Sequence, residues 1–275
     1  DQNRRDFTIN ALAIRLDCEP MGEIVDFFGG QKDIRDRVIR VLHTLSFVED
    51  PTRCLRAVRF EQRYHFRIGP ATEKLIKNDV SLKLLDKLSP SRLFNEFEHI
   101  CAEETAILCI RRLHELGILQ AIHPQLSINP DRKEMLIRTA KVMAWYRLLY
   151  IDEEMRPWLV YFLVLCSSLT YAVTLEVFRR LGIPPALKNE VLGCREKARS
   201  LRSSLKRLTA TPGFRVSALC AMLRPLPVEF VLYLMADMEV PETRRALSRY
   251  ITVWRTEKPG VDGSDLKKLG LAPGP

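Results

Sequence analysis

The residues best suited to chemistry in this chain are four arginines and a carboxylate carried on one short stretch. In FVEDPTRCLRAVRF, residues 47–60, Asp50 stands just before Pro51, and Arg53, Arg56 and Arg59 follow at three-residue spacing with Arg63 just beyond. Asp50 suits a helix N-cap and Pro51 a first helical turn. At about 100° per residue the four arginines fall within a sector of roughly 120°, with Cys54, Leu55, Ala57 and Val58 on the other side. One face is expected to be buried and the other cationic. Asp50 offers acceptors and Arg53 a rigid fork of donors, which together match the Watson–Crick edge of a base, while Arg56 and Arg59 can hold phosphate or brace the helix. A solvated basic helix face would use the same residue types, and composition does not separate the two.

Two further clusters could serve the same ligand. Arg4, Arg5 and Asp6 precede the apolar run FTINALAI. Two arginines can neutralise a triphosphate, and a carboxylate beside them can accept a hydrogen bond from a ribose hydroxyl; a solvated strand edge is the alternative. Gly29 and Gly30, in DFFGGQKDI (residues 26–34), allow positive φ and close backbone approach, so they suit either a hinge facing a nucleotide or an ordinary hairpin-to-helix turn. They do not form a P-loop, since the spaced glycine and the Lys-Ser/Thr ending are absent. The five histidines (His43, His65, His99, His114, His123) are scattered and suggest no metal set. The seven cysteines form no C-x-x-C pair and read as reduced core residues of a cytoplasmic protein.

These groups must be positioned by a chain of 275 residues with 47% hydrophobic and 28% charged content, enough for two ordinary domains. A net charge of +9 and a pI near 9.3 favour a polyanionic partner. The longest apolar run, WLVYFLVLC at 158–166, is about half the length of a bilayer-spanning helix, so no membrane partner is expected. Charge is uneven along the chain. Residues 187–215 carry eight basic and two acidic side chains, whereas residues 1–67 carry twelve and eleven. Lys197, Arg199, Arg202 and Lys206 are the candidates for contacts to RNA.

Residues 7–17 and EIVDFF read as a β-hairpin, QKDIRDRVI as a short helix or turn, and RVL as one more strand. From residue 50 onward helical periodicity predicts segments at 50–64, 70–78, 90–103, 104–116, 131–149, 154–168, 171–181, 185–206, 214–223, 227–237 and 241–255. Breaks fall at RIGP, LSPS, GIPP, TATPG, RPLP and EVPE. The expected class is α+β, a partial β-sheet head followed by a long all-α body. Its divisions are 1–46 (head), 47–126 (helical neck) and 127–275 (helical body and tail).

The ordered set RRDFTINALA, DFFGGQKDI, VEDPTRCLRAVRF, LSPSRLFNEF and LHELGILQAIHPQL resembles the class II tRNA nucleotidyltransferase and bacterial poly(A) polymerase family over about residues 1–126. DGSDLKKLGLAPGP at 262–275 resembles that family's C-terminal pattern, and VLHTLSFVEDPTR resembles its branch linked to DHH and CBS domains. The resemblance implies a nucleotidyltransferase-like head and assigns roles by position. Arg5 and Asp6 would contact the incoming nucleotide, the aspartate near the ribose. Asp50 and Arg53 would read the base of ATP or CTP, and Arg56 and Arg59 would bind the nucleotide further. Gly29 and Gly30 would form a flexible element, and Arg92 and Glu96 would brace the base-reading helix.

The family's Mg²⁺-binding paired carboxylates lie upstream of RRD, so no catalytic metal ligand is expected here, and the chain, which opens without Met, reads as cut from a longer one. The implied activity is template-independent addition of AMP, or CMP and AMP, to the tRNA 3′ end, with pyrophosphate released. A poly(A) polymerase of the same family and a catalytically silent RNA-binding module are the alternatives.

Overall fold

A computed structural model describes residues 2–257 apart from 18 and 20, together with 267, 268 and 270. The 262–275 pattern therefore lies largely outside the described residues. At the N-terminal end the ladders are minimal. Strand β1 (Ala13–Ile14) pairs antiparallel with β2 (Ile24–Val25), Ala13 opposite Val25. The helix α1 (Gly30–Arg35) leads to β3 (Val38–Ile39), which pairs in parallel with β4 (Arg67–Ile68). The expected hairpin forms, but the extended run from residue 7 does not: Thr8–Asn10 is a 3₁₀ turn, and Phe7 makes an isolated bridge to Val41. The Thr8 hydroxyl donates to Asp33 at 2.6 Å and its amide to the Arg40 carbonyl at 2.9 Å, and these long-range bonds hold the turn against the local β pattern.

Helices follow almost without interruption. They are α2 (Ser46–Glu49), α3 (Thr52–Arg63), α4 (Pro70–Ser81), α5 (Pro90–Ala102), α6 (Ala106–Glu115), α7 (Ile118–Ile122) and α8 (Pro130–Arg147). After these come α9 (Pro157–Leu165), α10 (Tyr171–Arg180), α11 (Lys188–Thr209), α12 (Val216–Leu223), α13 (Val228–Asp237) and α14 (Pro241–Arg249), the last running into a π-helical turn, Tyr250–Trp254. Proline in the first turn starts α4, α5, α8, α9 and α14, where its missing amide costs nothing and its fixed φ suits the helix. Asn129 and Thr170 cap α8 and α10 through their side-chain oxygens.

The periodicity did not predict α2, α7 or β4. RIGP reads as a break, yet Arg67–Ile68 forms a strand because its partners are distant: β3 supplies the ladder, and the Glu61 carboxylate accepts from the Ile68 amide at 2.9 Å. Arg112 then ties Glu61 to Glu73 at 2.9 and 2.7 Å, joining the end of α3 to α4 and α6.

One continuous buried apolar cluster runs from Phe7 to Ile251. Its axis is α9, whose residues Trp158–Leu165 are all buried and pack against α5, α8 and α13. Phe94 of α5 meets Trp158 edge to face, ring centres 5.1 Å apart, so α5 is seated on the body on one side and on α3 on the other. Of the six described cysteines, all are free and only Cys220 is not fully buried. Among the described residues no single helix is long and apolar enough to cross a membrane.

A close approach fixes α10 against α5. Gly182 has φ +67°, and a Cβ there would lie 2.5 Å from the Pro90 carbonyl carbon. Gly213 has the same φ with nothing within 4 Å. Gly213→Ala should therefore cost only the left-handed penalty, about 1–2 kcal/mol. Gly182→Ala should cost about 1–3 kcal/mol more, because backbone must move. Urea unfolding midpoints of the two variants test this order.

Candidate nucleotide-recognition site

The site is organised by the start of α3. Asp50, in extended backbone after α2, turns its Oδ1 onto the Thr52 amide (3.0 Å) and hydroxyl (2.6 Å), closing the N-terminus of the helix. Its Oδ2 accepts from Arg92 Nη2 of α5 at 2.7 Å. Partial burial works against the charge, but the Thr52 and Arg92 donors prevail and hold the Asp50 carboxyl below its ordinary value. Asp50 is thus an anionic acceptor with lone-pair capacity left on Oδ2.

Arg53, 8% exposed, lies one turn along. Its Nη1 donates to the Ser46 hydroxyl at 2.7 Å and the Ser46 carbonyl at 3.2 Å, and its Nη2 to the Arg4 carbonyl at 3.2 Å. The Glu49 carboxylate stands 3.7 Å from Nη1. This one guanidinium joins the RRD segment, α2 and α3.

The remaining arginines form a ladder with carboxylates from other elements. Arg56 donates through Nε and Nη2 to Asp6 Oδ2 at 2.8 and 2.5 Å and approaches Glu96 at 3.4 Å. Arg59 lies 3.4 Å from Glu96 and 3.6 Å from Glu103, and Arg63 lies 3.5 Å from Glu103. The Arg56 and Arg59 guanidinium carbons sit 5.3 and 4.9 Å from the Phe60 ring centre.

These contacts correct the expectation of an open cationic face. Arg59, like Arg53, is only 8% exposed, Arg56 is half-buried, and only Arg63 faces solvent freely. The face is covered because α5 lies across it and supplies Glu96, so the helix buries apolar residues on one side and neutralised guanidinium groups on the other. Asp6 is equally committed. Its Oδ1 accepts from the Phe7 amide and Asn10 Nδ2, both at 2.9 Å, and its Oδ2 takes both Arg56 donors. Arg5 is exposed. Arg92 and Glu96, both on α5, meet Asp50 and the Arg56–Arg59 pair respectively.

The glycine pair forms a turn with two different roles. Gly29 has φ +75° with open space around it, while Gly30 starts α1 so close to the Thr8 carbonyl that a Cβ would lie 2.3 Å from it. Asp26 caps this helix by accepting from Gly30 at 2.8 Å and Gln31 at 3.0 Å, and the Gln31 bond leads in lowering its carboxyl below the ordinary value.

The basic side chains of the body lie far along the chain on α11. Lys197 and Arg199 are exposed, Arg202 is paired with Asp237 at 3.4 Å, and Lys206 is partly buried. Arg199 and Arg202 line a cleft of about 910 Å³ that Arg132 and Arg138 of α8 border opposite. The sequence reading passed over Ser46 and Glu103, and also Arg244, Arg245 and Arg249, which are exposed on α14 beside α11. Only the last three carried a signal, their spacing on an amphipathic helix. Ser46 and Glu103 act across seven and forty or more residues of chain, beyond any local pattern. Among the described residues, no group of three or more His, Cys, Asp or Glu side chains could hold a metal ion.

Comparison with known proteins places this geometry. Residues 1–40 match the family described as "Poly A polymerase head domain", and residues 65–128 match "Probable RNA and SrmB- binding site of polymerase A". An A-adding tRNA nucleotidyltransferase of Geobacter sulfurreducens is 41% identical over 276 residues, covering 100% of this chain and 31% of that protein. The chain spans about a third of the length of such curated relatives. Among solved structures, a tRNA-processing enzyme in its apo form I superimposes with TM-score 0.79 at 31% identity, over 98% of this chain and 70% of that one. The Thermotoga maritima CCA-adding enzyme complexed with tRNA superimposes with TM-score 0.81 at 31% identity, over 100% and 65%. With its recognition motifs, its α+β architecture and these likenesses in agreement, the chain belongs to the class II tRNA nucleotidyltransferase and bacterial poly(A) polymerase family.

Proposed function

We propose that the intact protein is a template-independent tRNA nucleotidyltransferase that uses ATP to add AMP to the tRNA 3′ end and releases pyrophosphate. The observation that carries this reading is the 41% identity to an A-adding enzyme along the whole chain. Addition of CMP as well as AMP is the second reading, favoured by the likeness to the CCA-adding enzyme of T. maritima. We place the protein in the cytoplasm, where its cysteines would stay reduced.

In this reading Asp50 and Arg53 stand in for a template. Adenine and cytosine present an exocyclic amine beside a ring nitrogen acceptor, whereas guanine and uracil present a carbonyl there. The free lone pair of Asp50 Oδ2 accepts from the amine, and the unengaged Nε edge of Arg53 donates to the ring nitrogen. The reversed polarity of guanine and uracil sets acceptor against acceptor. Arg5 faces the triphosphate. Asp6 and Arg56, paired with one another, keep the RRD segment on α3, while Arg59 and Glu96 keep α3 on α5. The Gly29 turn supplies the flexible element next to the site. On the body, Lys197, Arg199, Arg202 and Lys206 meet RNA phosphates, since duplex RNA is read by shape and backbone.

Mg²⁺ is the cofactor expected for chemistry of this type. Among the described residues no cluster of carboxylates, histidines or cysteines fits it.

Arg53→Ala in the intact protein should reduce the preference for ATP over GTP by roughly 10²-fold or more, as loss of a buried hydrogen-bonding discriminator does. Steady-state incorporation with each nucleoside triphosphate measures it, and an unchanged preference rejects base reading by this residue.

The pH dependence follows from Asp50. Its carboxyl is held below the ordinary value, so the acceptor form, and the stability its bonds add, persist through neutral and mildly acidic pH and are lost only as pH falls through the lowered value. ATP preference should stay flat from about pH 8 to pH 5 and weaken only below about pH 4. Nucleotide competition binding across that range is the check.

Lys197→Glu with Arg199→Glu should weaken tRNA binding and lower the salt slope by about 0.7–0.9 per lost phosphate contact. Nucleotide preference should not change. Filter binding at several salt concentrations reads the slope.

A further inference from the structure

Ser46 is 0% exposed and lies at the start of α2, a helix of four residues with no apolar stripe that would demand a serine there. Its hydroxyl and its carbonyl face the same atom. Arg53 Nη1 carries two hydrogens, and Ser46 Oγ at 2.7 Å and Ser46 O at 3.2 Å take them. The Arg4 carbonyl, 3.2 Å from Nη2, completes a three-point clamp on the far end of the guanidinium. What remains uncommitted is the Nε–H and one Nη2–H, two donors in the plane that Ser46 and the Arg4 carbonyl fix.

We propose that Ser46 is a positioning residue for base choice: by capturing both hydrogens of Arg53 Nη1, it fixes the guanidinium plane so that only the Nε edge is offered to the nucleobase. The proposal rests on the reading of Asp50 and Arg53 as the base-reading pair.

The physical requirement is geometric. An arginine side chain has several rotatable bonds, and one held only by its stem can reorient five donors to suit any acceptor, the carbonyls of guanine and uracil included. Discrimination needs the wrong base to leave a buried group unpaired, and that penalty exists only if the donor cannot turn to meet the base. Glu49, 3.7 Å away and exposed, attracts the charge without fixing the plane. The neutral Ser46 hydroxyl, buried and at short distance, does fix it. Asp50 is fixed in the same manner, with Thr52 on one oxygen and Arg92 on the other. Acceptor and donor are therefore each clamped by a residue that does not touch the base.

The test is made on the intact protein with its tRNA substrate, comparing wild type, Ser46→Ala, Ser46→Cys and Arg53→Ala. For Ser46→Ala we expect the ratio of kcat/KM for ATP to that for GTP to fall about tenfold, as loss of a hydrogen bond to a charged group implies. KM for ATP should rise more than kcat falls, and affinity for tRNA should be unchanged. Ser46→Cys keeps the side-chain shape with a somewhat larger atom that accepts hydrogen bonds weakly, so it should lose selection while the site stays filled and answers the case in which Ser46→Ala fails to fold. If both Ser46 variants select like wild type while Arg53→Ala does not, Ser46 has no positioning role. A uniform drop in kcat with every nucleotide at constant ratio would likewise overturn the proposal, since that is what a merely structural role gives. If Arg53→Ala also selects like wild type, the base-reading assignment itself has failed.

Discussion

A guanidinium group leaves water only where carboxylates or carbonyls replace its hydration, and that requirement governs the structure around α3. An unpaired charge buried in protein costs several kcal/mol, so each covered arginine on α3 must bring a fixed partner with it. Arg53 brings Ser46 and the Arg4 carbonyl, Arg56 brings Asp6, and Arg59 brings Glu96 and Glu103. Because these partners come from the RRD segment, from α2, from α5 and from the turn after α5, meeting the charges assembles the site. The covered ion pairs add little net stability but fix the register of α3. A slip of α3 by one residue would leave four guanidinium groups and four carboxylates mismatched.

The same requirement couples the N-terminal segment to the helical body. Asp6 is paired with Arg56, Arg56 reaches Glu96, and Glu96 sits on α5, which buries Phe94 against Trp158 of α9. A chain of contacts thus runs from the residues expected near the nucleotide to the core of the body. It is made of ion pairs at the α3 end and apolar packing at the α9 end. The first part is directional and fixes orientation, while the second supplies most of the stabilising free energy.

What the sequence made legible follows from how local each signal is. The prolines at 70, 90, 130 and 241 start helices within a residue of where periodicity and turn chemistry place them, since both effects act within one turn, whereas the segment expected from 154 begins only at Pro157. The capping role of Asp50 was legible for the same reason. The identity of the arginine partners was not. Asp6 and Glu96 lie fifty and forty residues from Arg56, and nothing in a single sequence records that α5 crosses α3. The four-in-a-sector pattern correctly marked a special face but mistook its surroundings, because periodicity reports that a face differs and not whether water or another helix covers it. The strand β4 was missed on the same grounds: two residues carry no period, and only β3 makes them a strand.

Neutralising the arginines of α3 also divides the electrostatic labour of the molecule. With Asp6, Glu49, Glu96 and Glu103 beside them, the four guanidinium groups contribute little net field beyond a Debye length of about 8 Å. Exposed positive charge lies instead on α11 and α14, where Lys197, Arg199, Arg244 and Arg245 are exposed and carry no ion pair among the described residues, and these are the groups that would attract a polyanion at long range. On the proposed reading, such a division suits holding one large anion while choosing among small ones of equal charge. All four nucleoside triphosphates feel the same field, so a strongly positive reading helix would bind each of them tightly and choose among them poorly. On the proposed reading, a locally neutral helix whose donors are pinned would contribute little uniform binding, and the free energy it did contribute would depend on which base was present.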